Sequence, residues 1–177
     1  LTNCVIARSL ARSGGGLYGA TLYDCRIEDN SAQLHGGGAC SSVLVRCTVT
    51  DNVASNQGGG VYGGLVAGSG LFRNRAVNGG GAAGSAFLDQ SWLEENVAQS
   101  GGGGAFACDL LACTVTNNAA PYGGGIHSGR AQNTILCGNN GWREGGGAQN
   151  GALYFCTVVG NQSYEGAGVH RCQVWNS

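Results

Sequence analysis

The sequence predicts an all-β protein, a single-stranded right-handed parallel β-helix (β-solenoid) of about eight turns of about 22 residues each. Three observations predict it. The first is a column of asparagines at near-constant spacing: Asn30, Asn52, Asn74, Asn96, Asn118, Asn139 and Asn161. The second is an aliphatic residue three positions before each of them: Ile27, Val49, Leu71, Leu93, Val115, Leu136 and Val158. The third is a glycine run that closes each copy, as in Gly36-Gly37-Gly38 and Gly58-Gly59-Gly60.

Each element of a turn has a physical reason. A turn opens on an apolar position, filled by Leu22, Leu44, Val66, Leu88, Leu110, Ala131 and Leu153. A small, weakly polar one follows: Cys25, Cys47, Ser69, Ser91, Cys113, Thr134 and Cys156. Cys25 and Ile27 alternate with Arg26 and Glu28, the period of two of a half-buried strand. No window sustains a helical period. Strands about 4.8 Å apart would stack each column into a ladder. Asparagine amides in such a ladder can bond to the turns above and below, and asparagine tolerates the left-handed backbone of a tight corner. Beyond the Asn lies a small residue (Ala32, Ala54, Ala76, Ala98, Ala120, Gly141, Ser163), then a loop of two or three free residues, then the glycine run. There φ > 0 lets the chain reverse. Gly59 is expected at such a corner and Gln57 is not, so Gly59→Val should cost far more than Gln57→Val. The first turn joins through Leu1, Cys4, Ile6 and Ala11, with Ser9 where Asn is expected.

Two large apolar side chains per turn cannot offset the ordering of its backbone, so the turns must stack on one another. Right-handedness follows from the preference of parallel crossovers. A hexapeptide left-handed helix is disfavoured because the repeat is not a multiple of six. The 177 residues read as one domain, 1–177, about 38 Å long at about 4.8 Å per turn. Neither end carries a cap, and Gly166-Ala167-Gly168 replaces the glycine run in the last turn. That predicts a segment of a longer solenoid or fibre, or else copies stacking end to end. The chain has no Met, which reads as a mature or excised piece.

A net charge of −1, with 11% charged residues and scattered arginines, speaks against nucleic acid or anionic membrane as partner. No apolar run reaches the length of a membrane span or a signal peptide. Of nine cysteines, five share the column with Ser and Thr, so they read as stacked buried thiols rather than disulfides or metal ligands. Glu28, Asp29, Asp51, Glu94 and Glu95 lie on turns two, three and five, with Arg73 and Asn117 at the Glu95 position: a pattern of solvated charge. With loops this short, no catalytic residue is assigned. His35, His127 and His170 are expected outward or in loops, the last two separated by two turns, so neither a metal site nor a cofactor is expected. The row Val5, Arg26, Thr48, Gly70, Trp92, Thr114, Ile135, Thr157 is too broken for an ice-binding array. A second row, Tyr18, Cys40, Tyr62, Ala83, Phe106, His127, Gln149, His170, is also expected to face outward. The candidate binding site is an exposed aromatic strip in the pre-glycine loop, Tyr122, Trp142 and Tyr164. These rings either pack on one another and fill the corner or, stacked as an exposed strip on successive turns, would suit glycans or a protein partner.

Asn-Cys-Val-Ile in Asn3–Ile6, Cys-Thr-Val-x-x-Asn in Cys47–Asn52 and Cys113–Asn118, and Gly-Gly-Gly-Val-Tyr-Gly-Gly in Gly58–Gly64 resemble a known repeat class. They are similar to the right-handed parallel β-helix repeats of secreted bacterial surface proteins. More distantly they resemble the polymorphic outer-membrane autotransporter repeats, from which they depart in having Ile27, Val49 and Leu71 where Phe would stand. The resemblance implies a non-enzymatic adhesin, stalk or fibre, extracellular or on the cell surface. Its partners would be glycans or the surface of a host or neighbouring cell. A carbohydrate-binding or polysaccharide-cleaving β-helix, and a self-assembling filament subunit, stand as alternatives.

Overall fold

Positions one repeat apart in sequence are hydrogen-bonded neighbours in space throughout the computed structural model, which describes residues 1–176. Three parallel sheets result. The first stacks eight strands from Val5–Ala7 to Thr157–Val159, and the second stacks eight from Leu10–Ser13 to Gln162–Glu165. The third runs from Leu17–Tyr18 to Val169–His170 and holds the longest strands, such as Ala39–Val45 and Ala105–Leu111. Each strand pairs with its equivalents one turn up and one turn down, so the molecule is a β-solenoid. Among the described residues no helix is long and apolar enough to cross a membrane.

The apolar columns become two rows of the core. Ile6, Ile27, Val49 and Leu71 stand opposite one another in the first sheet, and Leu22, Leu44, Val66, Leu88 and Leu110 do so in the third. From Leu22 and Ile27 onward these side chains are sealed from solvent. The small column has a second role that size alone does not reveal. Cys47 N donates to Ser69 Oγ at 2.9 Å, Cys113 N donates to Thr134 Oγ1 at 3.3 Å, and Ser69 Oγ donates to Ala67 O at 2.8 Å. The column therefore wants a small side chain that both accepts and donates. Among the described residues no disulfide joins any of the nine cysteines.

Three expectations are corrected. The left-handed corner falls on the residue before each Asn: Asp29, Asp51, Arg73, Glu95 and Asn117 all have φ between 52 and 57. The Asn must turn its amide inward to reach the next turn, so its predecessor makes the bend. In the glycine run, the left-handed residue is Gly58 (φ 66) rather than Gly59. Gly59 is glycine because a Cβ there would lie 2.4 Å from both Arg75 O and Gly80 O. Third, the pre-glycine segment is largely strand, forming the second sheet. Its variable length is absorbed by register shifts, for example between Ala76 and Asn78 and between Ala120 and Tyr122. Its inward residues Ala32, Ala54 and Ala76 pack together as a small satellite cluster.

The Tyr18-to-His170 row is in register as expected, but it does not simply face outward. Tyr18 is exposed, whereas Cys40, Ala83 and Gln149 are buried. The second sheet folds over it: His35 stacks on Tyr62 with ring centroids 4.4 Å apart, and a Cβ on Gly101 would meet the His127 ring at 3.1 Å.

Candidate functional site

The three aromatics sit on consecutive strands of the second sheet, Ala119–Tyr122, Asn140–Glu144 and Gln162–Glu165, and of the expected exposed strip Trp142 and Tyr164 are exposed while Tyr122 is half-buried. Ala120, Gly141 and Ser163 are opposite one another, and Trp142 and Tyr164 each follow directly on a member of that row. After the register shift, Tyr122 pairs with Glu144, which in turn pairs with Glu165. Tyr122 is thus in a column of carboxylates, not in a column of rings. What covers its face is Arg143, whose guanidinium carbon lies 5.7 Å from the ring centroid and whose Nη1 donates to the Tyr122 hydroxyl at 3.0 Å. Tyr164 is 87% exposed and Trp142 48%. The three candidate residues remain neighbours on successive turns, but as an aromatic pair beside an Arg–Tyr sandwich rather than a stack of three. That mixture of apolar faces and forked donors suits a polyhydroxylated or acidic surface.

Three outer-face carboxylates pair with arginines: Asp51 and Glu28, named from sequence, and Asp24, which was not. Arg46 Nε and Nη2 each meet an oxygen of Asp24 at 2.7 Å across one turn. Arg73 does the same to Asp51 at 3.0 and 2.9 Å, and also donates to Thr50 Oγ1. These hydrogen bonds hold both carboxyls below the usual aspartate value. Glu28 is paired with Arg26. A shallow groove of about 380 Å³ at the first turns is lined by Asn3, Asp24, Arg26, Arg46 and Thr48. Its carboxylate is the one Arg46 clamps, which leaves it poorly suited to give or take a proton at neutral pH.

One group was not legible from the sequence. Glu144, Glu165 and His170 bring ligand-type atoms within 4.8 Å of one another, next to Gln149. His170 is therefore not simply outward, and its companions come from a different sheet. The available signal was positional: Glu144 and Glu165 each stand immediately before a glycine corner, 21 residues apart. No protein-family model matches the chain, and no curated protein matches it.

Proposed function

We propose that this chain is a non-enzymatic, structural and adhesive β-solenoid displayed outside the cell, presenting Trp142, Tyr164 and the Tyr122–Arg143 pair to glycans of a partner surface. The single observation that carries this reading is how the charged and aromatic side chains are used. Asp24 and Asp51 are engaged by arginines of the next turn and so are not left as free carboxylates, while large aromatics on successive turns are left to solvent. Display outside the cell is compatible with free thiols because burial pushes Cys108 up to about 12 and Cys113 to about 11. At these two positions the reactive thiolate is then scarce, which slows their oxidation to disulfides. The repeats resembling those of secreted surface proteins favour the same reading.

The test is binding of the purified chain to immobilised glycans and to intact cells, beside Trp142→Ala and Tyr164→Ala. Saturable binding that weakens at least tenfold in both variants is expected, with no new reducing ends released from the same polysaccharides. Binding that survives both substitutions would overturn the strip as recognition face, and release of reducing ends would favour the carbohydrate-cleaving alternative.

A further inference from the structure

The solenoid elsewhere ties successive turns with opposite charges: Asp24 to Arg46 and Asp51 to Arg73. Between Asn140–Glu144 and Gln162–Glu165 the pairing inverts. Glu144 stands directly opposite Glu165 in the parallel ladder, where like charges repel. Among the described residues neither carboxylate has an arginine partner. On the adjoining sheet, Gln149 stands directly opposite His170, so two residues from each of two turns converge at one corner.

The polar atoms here are not mutually satisfied. His170 Nε2 is sealed from solvent, lies 3.5 Å from Glu144 Oε2, and makes no hydrogen bond; good N–H···O bonds are nearer 2.9 Å. Gln149 is 4% exposed, and its carboxamide points into the cluster, Nε2 donating to Glu144 Oε2 at 2.5 Å. Its Oε1 is buried without a partner. An acceptor buried without a donor is costly, and here it sits beside two carboxylates and an imidazole nitrogen that is also unpaired.

We propose that Glu144, Glu165 and His170 bind a divalent first-row transition cation, best fitted by Zn²⁺, which ties the two turns together. Two carboxylates and one imidazole are the donor types Zn²⁺ takes, and three protein ligands leave a position for water. The cation neutralises the like-charge pair and gives the His170 nitrogen a partner. A water on the cation can donate to Gln149 Oε1, while Gln149 Nε2 holds Glu144 in orientation. Gln149 is thus a positioning residue, in the manner of hydrogen-bonded carboxylate ligands generally. The site does not depend on glycan binding at the aromatic strip.

The test is Zn²⁺ titration of the purified, reduced chain by calorimetry, with Co²⁺ absorption as a second readout. The variants are Glu165→Gln, His170→Ala, Gln149→Met and, as control, His127→Ala. Glu165 is exposed, so its isosteric substitution leaves folding intact, which circular dichroism checks. One equivalent of Zn²⁺ is expected, with a raised melting temperature. Binding should be lost in Glu165→Gln and His170→Ala, weakened about 10–100-fold in Gln149→Met, and unchanged in His127→Ala. Bound Co²⁺ should show the visible d–d bands of a four-coordinate nitrogen–oxygen site without sulfur-to-metal charge transfer. No uptake, uptake indifferent to Glu165→Gln and His170→Ala, or a charge-transfer band marking the cysteines would each overturn the proposal.

Discussion

Asn96 Oδ1 accepts two hydrogen bonds from Asn74, one from its backbone N at 2.9 Å and one from its Nδ2 at 3.0 Å. The second proton of Asn74 Nδ2 goes to Val49 O on the turn before, at 2.9 Å. One buried carboxamide therefore links three consecutive turns with both donors used, and the pattern repeats from Asn30 to Asn139. This explains why no other side chain replaces Asn in the middle of the column: Asp lacks the donors, and Gln is too long to reach its neighbour's amide from the same Cα. At the first turn, Ser9 is tolerated because only its backbone N is needed, donating to Asn30 Oδ1 at 3.0 Å.

Asn74→Ala should accordingly be among the most destabilising substitutions in the chain. It strands Val49 O and the two donors that Asn52 directs at Asn74 Oδ1. With each stranded buried group costing about 1–3 kcal/mol, a loss of about 3 kcal/mol or more is expected in urea unfolding. Asn161→Ala, near the end of the ladder and half-exposed, should lose markedly less. Equal losses would show that the ladder does not act through buried satisfaction.

Gly160 and Gly59 are held by different constraints, which substitutions at the two positions distinguish. Gly160 has φ 63 but open space where a Cβ would go, and its column holds Asp29, Asp51 and Asn117 on other turns. Gly160→Asn should therefore be nearly neutral, and Gly160→Ala should cost about 1–2 kcal/mol for the left-handed backbone alone. Gly59 has no such φ but no room, so Gly59→Ala should cost more than Gly160→Ala and Gly59→Val more again. Chemical denaturation of the four variants gives the order, and a cheaper Gly59→Ala would contradict the close approach to Gly80 O.

How far the sequence could be read follows from these same positions. Ile27, Leu44 and Asn74 were legible because each recurs in every turn, and repetition removes the ambiguity of a short strand. The strand character of the second sheet was not, because Ala32 and Ala54 give only one small inward residue per copy and no alternation to count. Nor was Tyr122's true column, since a register shift between Ala120 and Tyr122 breaks the counting that placed it with Trp142. Glu144 and His170 meet across two sheets, a relation that no periodicity within one strand expresses.

The Cys/Ser/Thr column predicts which replacements of Cys113 are tolerated. Its Sγ lies 3.3 Å from Leu111 O, and the equivalent Ser91 Oγ donates to Asp89 O at 2.8 Å. Cys113→Ser should fall within about 1 kcal/mol of the parent, because the hydroxyl makes the same bonds. Cys113→Val, of similar size but without a polar atom, should lose more. In the native chain at pH 8, thiol reagents should leave Cys108 and Cys113 unmodified, since burial pushes their pKa up to about 12 and about 11. Unfolding in guanidinium should expose all nine thiols to titration. Rapid native labelling of either cysteine would contradict the burial argument.

His127 gives stability an acid limb. Its ring stacks on Phe106 with centroids 5.3 Å apart, Gln149 stands opposite it on the next turn, and Ser128 Oγ lies 3.2 Å from its Nδ1. None of these partners is an anion, and burial lowers its pKa from the ordinary 6.5. The folded chain thus favours neutral imidazole more than the unfolded chain does. The resulting stability is fully present above pH 6.5 and is lost as pH falls through the depressed folded value. Unfolding free energy from urea titrations between pH 8 and pH 5 should fall for the parent and fall less for His127→Phe, which keeps the stack on Phe106 and cannot titrate. His35 and His170 are present in both chains, so the difference between the two curves isolates His127. Parallel curves would mean that the imidazole is as well solvated in the folded chain as in the unfolded one.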